Sequence, residues 1–157
     1  MNNGLNFRMA RTSDFDAVLD LARQLASHIE TDNPPLTFAQ FERYYINPDG
    51  PMHLLLALRE DRVVGMISWT LTHELYSADT RVYISDVSID HAARGQGVGA
   101  ALMNQVKLWA RLNHASKMAW EVWYRNFGAK TFYEKLGASI DQEAISYVLR
   151  LEEPISA

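Results

Sequence analysis

The chain has 157 residues, of which 48% are hydrophobic and 22% are charged, so it is about one domain long and can bury a core of its own. Its net charge of -4 provides no basic surface for nucleic acid, and its apolar runs are too short to span a bilayer. It has no cysteine, which excludes disulfides, a thiolate nucleophile and cysteine zinc sites. We therefore expect a single domain over residues 1–157 that binds neither nucleic acid nor a membrane.

The first part of the chain predicts one strand followed by two helices. Residues 5–9 have a short strand pattern, and Ser13 is placed to cap a helix whose apolar residues recur at intervals of three and four. Thr37 and Gln40 form a capping-box pattern at the start of a second amphipathic helix. That helix is expected to end before Pro48, because proline disrupts a helix interior.

The rest of the chain predicts five strands and two helices. Three runs are typical of strands in an antiparallel meander, namely residues 52–58, 63–73 and 81–90. A helix begins near Val98, and residues 118–123 return as a strand. Asn126 caps a further helix that Gly137 ends, and residues 144–151 predict a last strand. The order βααβββαβαβ indicates an α/β fold with a mixed, mostly antiparallel sheet and helices on both faces.

Residues 82–103 are the most informative segment, because there a strand runs into three alternating glycines at the start of a helix. Gly95, Gly97 and Gly99 let a ligand come close to the backbone, and the N–H groups and positive dipole end of the helix favour phosphate oxygens. Arg94 adds a positive charge. The glycines alone are also consistent with a turn that serves only packing.

Two other phosphate-binding motifs are alternatives for this loop. No Lys-Ser or Lys-Thr follows the glycines, which excludes an ATP-binding Walker loop. Gly95, Gly97 and Ala100 fit the loose dinucleotide-binding pattern, and Glu121 follows about twenty residues on. The polar residues of the preceding strand and the short remaining chain disfavour that oxidoreductase alternative, which nevertheless stays open.

Two segments resemble the GNAT superfamily of N-acetyltransferases. Arg94-Gly-Gln-Gly97-Val-Gly99 is similar to its Arg/Gln-x-x-Gly-x-Gly/Ala signature, and Asn126 to Gly137 is similar to its second motif. Their order and the predicted element order also match, so the resemblance covers the chain from Asn6 to about Arg150. It implies an enzyme that takes acetyl-coenzyme A as co-substrate and acetylates a primary amine.

The resemblance also implies where coenzyme A binds, in a gap between the strand ending at Ile89 and the strand ending at Trp123. The pantetheine arm would pair with backbone of Val87 and Ile89, the pyrophosphate would lie on amides of residues 95–100, and Asn126 would bond the pantetheine. The complete implied set of cofactor-binding residues is Val87, Ser88, Ile89, Arg94, Gly95, Gln96, Gly97, Val98, Gly99, Ala100, Asn126 and Tyr133.

Three residues are candidates for proton transfer. The resemblance places Tyr133 facing the sulfur of coenzyme A, where it would protonate the departing thiolate. The helical spacing of Tyr133 alone is that of a core aromatic. The amine must lose a proton before it attacks, and Asp86 or Glu121, on the two strands beside the gap, would accept it, with Asp86 ranked first. Either carboxylate could instead only pair with a cation. The histidines have no metal-binding spacing, so no metal is predicted.

Within the superfamily the chain is most similar to the spermidine/spermine N-acetyltransferase branch, through residues 82–87, residues 132–138, Asp141 and Glu143. Ser85 stands where that branch has a glutamate, and Ile145 stands at an acidic substrate position. We expect an acidic approach, a surface that attracts a cationic amine, formed by Glu30, Asp32, Glu74 and Asp79.

A small amine of the polyamine, diamine or amino-acid type is therefore the favoured acceptor. The loss of the glutamate at Ser85 keeps a second hypothesis open, a silent acyl-coenzyme A binding module. The N-terminal residues lack the apolar stretch of a secretory signal, so a cytoplasmic location is expected, and the resemblance implies a homodimer.

Overall fold

The computed structural model describes residues 4–31 and 33–152, which include a five-stranded sheet with the order β1-β2-β3-β4-β5. Its strands are β1 Leu5–Met9, β2 His53–Arg59, β3 Arg62–His73, β4 Thr80–Ile89 and β5 Lys117–Trp120. The helices are α1 Phe15–His28, α2 Phe38–Phe41, α3 Val98–Leu112 and α4 Phe127–Lys135. β1 to β4 pair antiparallel, and only β4 and β5 pair parallel, which confirms the predicted fold class.

The chain divides into two compact units. The first runs to Arg125 and holds the sheet with α1, α2 and α3, and the second begins at Asn126 and holds α4. The single domain expected from the sequence stays a prediction. None of the helices in the described ranges is long and apolar enough to cross a membrane.

Helices cover both faces of the sheet in the first unit. On one face, Leu54, Leu56 and Leu58 of β2 pack with Val18 and Leu21 of α1 in a buried cluster that also contains Phe41 and Met66. These leucines share a face because alternate side chains of a strand point the same way.

The opposite face of the sheet packs against α3, whose Val98, Leu102 and Val106 are buried. A Cβ atom added at Gly65 of β3 would lie 3.0 Å from side-chain carbons of Ile89 and Val98. The absence of a side chain at Gly65 thus lets the beginning of α3 sit close against the sheet.

The two predicted caps in the first unit had different outcomes. The Thr37 capping box is confirmed, because the Gln40 amide donates to Thr37 Oγ1 at 3.2 Å and Gln40 Oε1 accepts from the Thr37 amide. The Ser13 cap is wrong. α1 begins one residue later, and the carboxylate of Asp14 accepts from the Arg11 amide and from both terminal nitrogens of Arg8.

Two predicted strands differ from the structure. The strand expected over 118–123 ends at Trp120, so Glu121 to Trp123 lie beyond β5. The strand expected over 144–151 is not formed, and its side chains are exposed, with Tyr147 at 89% and Leu149 at 84%. Residues 144–151 were predicted as a last strand, but a strand requires a paired neighbour, and no described segment pairs with these residues.

Candidate active site

β4 carries a bulge at the position where its parallel pairing with β5 ends. Ser68 of β3 is opposite Asp86, and the next residue, Trp69, is opposite Ile84, so Ser85 is the extra residue. The ladder with β5 joins Arg81–Ile84 to Lys117–Trp120, while β4 runs on to Ile89. The last residues of β4 are therefore paired with β3 but not with β5, which agrees with the expected gap.

The glycine loop that follows β4 has the geometry of an anion site. Gly95 and Gly97 have φ values of +72° and +80°, a region that side chains rarely adopt, and a Cβ atom at either would meet no atom within 4 Å. Gly97 is the N-cap of α3, and its carbonyl accepts from the Ala101 amide at 3.0 Å. Gly99 and Ala100 belong to the first turn, whose amides lack intrahelical acceptors and can bind an anion.

The polar side chains around the loop are held by neighbouring groups. Arg94 Nε donates to the carbonyl of Ile89 at 3.2 Å, which fixes the guanidinium at the end of β4. Gln96 Nε2 donates to the carbonyl of Ala92 at 3.0 Å, and Gln96 Oε1 accepts from Arg59, the last residue of β2. Two arginine side chains therefore lie beside the loop.

The three implied cofactor-binding residues of β4 differ in what their side chains do. Ser88 is buried, and its Oγ donates to the carbonyl of Leu21 in α1 at 2.8 Å. Its hydroxyl thus ties the sheet to α1. Val87 and Ile89 are opposite Ile67 and Gly65 of β3, and any contribution to cofactor binding would come from their backbone.

A cavity of about 340 Å³ lies on the α1 face of the sheet, between α1, Thr31, residues 34–36, the π-helical turn Glu42–Ile46 and strands β2 to β4. Asp86 lines this cavity, and its Oδ2 accepts a hydrogen bond of 3.0 Å from Ser68 Oγ. The bulge at Ser85 thus turns Asp86 toward the cavity side of the sheet, where β3 supplies its partner. Ser85 itself is exposed.

Two tyrosines near Asp86 were not identified from the sequence as site residues. Burial raises the pKa of the Tyr45 hydroxyl, and the carboxylate of Asp86 adds to the effect. Burial also raises the pKa of Tyr83, with smaller contributions from Glu121 and Asp86. Both phenols are therefore protonated near neutral pH, and Tyr45 lines the cavity beside Asp86. From the sequence, Tyr45 is predicted only as one of the apolar residues of the second amphipathic helix.

The sequence predicted Glu121 on a strand. In the structure Glu121 lies directly after β5, where it is exposed. Glu121 and Asp86 both add to the raised pKa of Tyr83, whose main cause is burial. Only Asp86 lines the cavity. The ranking of Asp86 above Glu121 stays a prediction, now with a structural reason.

In the second unit, Asn126 caps α4 as predicted: its Oδ1 accepts from the Ala129 amide at 3.1 Å. Gly137 ends the helix with a φ of +89°. Tyr133 is half-buried beside Phe132, with ring centroids 5.1 Å apart, and burial raises its pKa. The roles of Asn126 and Tyr133 toward coenzyme A stay predictions.

No group of three or more metal-binding side chains occurs within residues 4–31 and 33–152. Of the predicted acidic approach, Glu74 pairs with Arg81 at 3.3 Å, while Asp32 lies outside the described residues. Glu30 and Asp79 are not among the residues that line the cavity.

Known proteins similar to this chain include an N-acetylaspartate synthetase and solved acetyltransferases. Over 99 residues, 63% of the chain, it is 30% identical to N-acetylaspartate synthetase of Xenopus tropicalis, and the match spans 35% of that protein. A solved probable acetyltransferase covers 95% of the chain and 99% of its own length, with a TM-score of 0.80 at 23% identity. An aminoglycoside acetyltransferase from an uncultured soil metagenomic sample, solved with sisomicin, covers 96% and 99%, with a TM-score of 0.79 at 17% identity.

These two structures show the shared fold, and the mostly antiparallel sheet disagrees with the dinucleotide-binding alternative, which needs a doubly wound parallel sheet. Residues 15–138 match the acetyltransferase (GNAT) family. That match covers most of the sequence, including the glycine loop and α4. The chain belongs to the GNAT family of acetyltransferases.

Proposed function

We propose that the protein moves the acetyl group of acetyl-coenzyme A to a primary amine, by direct attack of the amine and without a covalent enzyme intermediate. One observation carries the proposal: β4 serves both halves of the reaction. Its end leads into the glycine loop, and its Asp86 lines a cavity of a size suited to a small acceptor. A single rigid strand can thus hold the two reactants close together.

The glycine loop is suited to the pyrophosphate of coenzyme A. Open space at Gly95 and Gly97 lets phosphate oxygens approach the backbone, and the amides at the start of α3 donate to them. Arg94 and Arg59 add positive charge. Acetyl-coenzyme A supplies an acetyl group already activated as a thioester.

Asp86 is our candidate for the group that takes the proton from the amine. An alkyl amine has a pKa of about 10.4, as in lysine, so near neutral pH it arrives protonated and cannot attack. The hydrogen bond from Ser68 fixes the carboxylate at the cavity wall, where it can pair with the ammonium group and then accept its proton. The neutral hydroxyl of Tyr45 adds a donor without adding charge.

Tyr133 is our candidate for the proton donor to the departing thiolate. A donor must be protonated at the pH of the reaction, and burial keeps the Tyr133 hydroxyl in that state by raising its pKa. Its position seven residues after Asn126 in the second sequence motif supports the same role. Asn126 would bind the pantetheine.

We further propose a homodimer. Within the described part of the second unit, residues 145–151 expose Ile145, Tyr147, Val148, Leu149 and Leu151, and such exposed apolar stretches mark association surfaces. Sedimentation of the protein and of a Leu149→Asp variant would test this, with a shift of the variant toward monomer expected. A monomeric parent protein would reject it.

An amine-panel assay tests the proposed activity. Release of the coenzyme A thiol is followed with acetyl-coenzyme A and alkylamines, diamines, polyamines and amino acids, and the Asp86→Asn variant is compared under the same conditions. We expect release that depends on both amine and protein and that falls in the variant. Tight binding of acetyl-coenzyme A with no release for any amine would favour the silent binding module.

A further inference from the structure

We infer that the acceptor is a primary amine with one positive charge on an uncharged, apolar body, rather than a polyamine or an amino acid. This inference rests on the proposed function, because it assigns the cavity beside Asp86 to the acceptor. It follows from the chemistry of the cavity walls.

The walls of the cavity are predominantly apolar. Val18 of α1, Leu54 of β2 and Met66 of β3 form its floor and are buried, with exposures of 3%, 3% and 4%. Leu25 and Leu36 line it nearer the solvent and are half-buried. Such walls favour a hydrocarbon body, since burying apolar surface is favourable and burying a charge without a partner is not.

Among the described residues that line the cavity, Asp86 is the only acidic side chain, and no Lys, Arg or His is present. The remaining polar side chains are the neutral groups of Thr31, Tyr45 and Ser68, and Ser68 already donates to Asp86.

The described lining of the cavity can neutralise one ammonium group. A second ammonium group in the cavity would lose water without gaining a carboxylate, and a carboxylate on the acceptor would find no cation. The described residues of the acidic approach, Glu30, Glu74 and Asp79, do not line the cavity. Glu74 is outside the cavity lining and is paired with Arg81 at 3.3 Å.

Three amines with the same five-carbon chain test the inference: pentylamine, cadaverine and δ-aminovalerate. They share one primary amine and differ only at the far end, which is a methyl group, a second ammonium group or a carboxylate. Calorimetric titration of the whole protein, saturated with coenzyme A, should give pentylamine at least about tenfold tighter binding than either of the others. Asp86→Asn should weaken pentylamine binding. Equal or tighter binding of cadaverine or δ-aminovalerate would overturn the inference.

A new carboxylate on the cavity wall tests the same logic from the protein side. Leu36→Glu should shift the preference toward cadaverine, while Leu112→Glu, a control at a 71% exposed site on α3, should leave the preference unchanged. A preference that does not move in a folded Leu36→Glu protein counts against the inference. If Leu36→Glu does not fold, the three amines on the parent protein still decide.

Turnover of the same amines separates this inference from the proposed function. Pentylamine binding without thiol release would reject the proposed acetyl transfer but keep the assignment of the cavity. Thiol release with cadaverine as efficient as with pentylamine would keep the transfer and reject the apolar acceptor.

Discussion

Replacing Gly97 with valine separates the cost to the fold from the cost to cofactor binding. Gly97 has a φ of +80°, and a Cβ atom there meets nothing within 4 Å. The folded protein therefore bears only backbone strain, about 1–2 kcal/mol and somewhat more for a β-branched residue. A domain is stable by about 5–15 kcal/mol, so Gly97→Val should remain folded.

The space that is empty beside Gly97 is where the pyrophosphate is proposed to approach the backbone, and a valine side chain would fill it. We expect the affinity for acetyl-coenzyme A to fall at least about 100-fold, or about 2.8 kcal/mol. Calorimetry on the folded variant measures this. Gly4→Val is the control, since Gly4 also has a positive φ and open space but precedes β1, at the other edge of the sheet. Unchanged affinity in folded Gly97→Val would reject the assignment of the loop.

Three further changes give distinct signatures. Asp86→Asn should lower kcat/KM about 10²-fold, most at low pH, where the free amine is scarce, and Glu121→Gln should lower it less. If neither substitution alters the pH–rate profile, another group accepts the proton. Tyr133→Phe should keep cofactor affinity and lower turnover about 10²-fold, and turnover at the parental rate where chemistry limits would leave only a packing role. Burial lowers the pKa of His53 below its usual 6.5, so the unfolded chain binds that proton more readily. The folded protein keeps this stability above about pH 6.5 and loses it as the pH falls. The melting temperature of His53→Phe should therefore drop less between about pH 7.5 and pH 5 than that of the parent protein. Equal drops would contradict this.

Features encoded in a few neighbouring residues were predicted well. The Thr37 capping box and the Asn126 cap formed as expected, because a cap depends on a side chain and an amide three residues away. Gly137 ends α4 as its place after that helix indicated. The antiparallel meander of β2, β3 and β4 followed from the short connections between these strands.

Features that depend on distant partners were not predicted. Ser85 is a bulge because of its register with β3, and no pattern along β4 alone reveals that. Tyr45 joins the site only where its turn meets Asp86, which lies far along the chain. The pattern of residues 144–151 predicts a strand, but pairing requires a neighbour that the sequence does not specify.

Mass spectrometry of the acceptor tests acetyl transfer most directly. The protein is incubated with acetyl-coenzyme A and pentylamine, and the amine and the free thiol are quantified together. We predict that each amine consumed gains one acetyl group on nitrogen, that one thiol appears for each product, and that Asp86→Asn slows both equally. Acetyl-coenzyme A that binds tightly and stays intact while every amine of the panel remains unmodified would contradict the account.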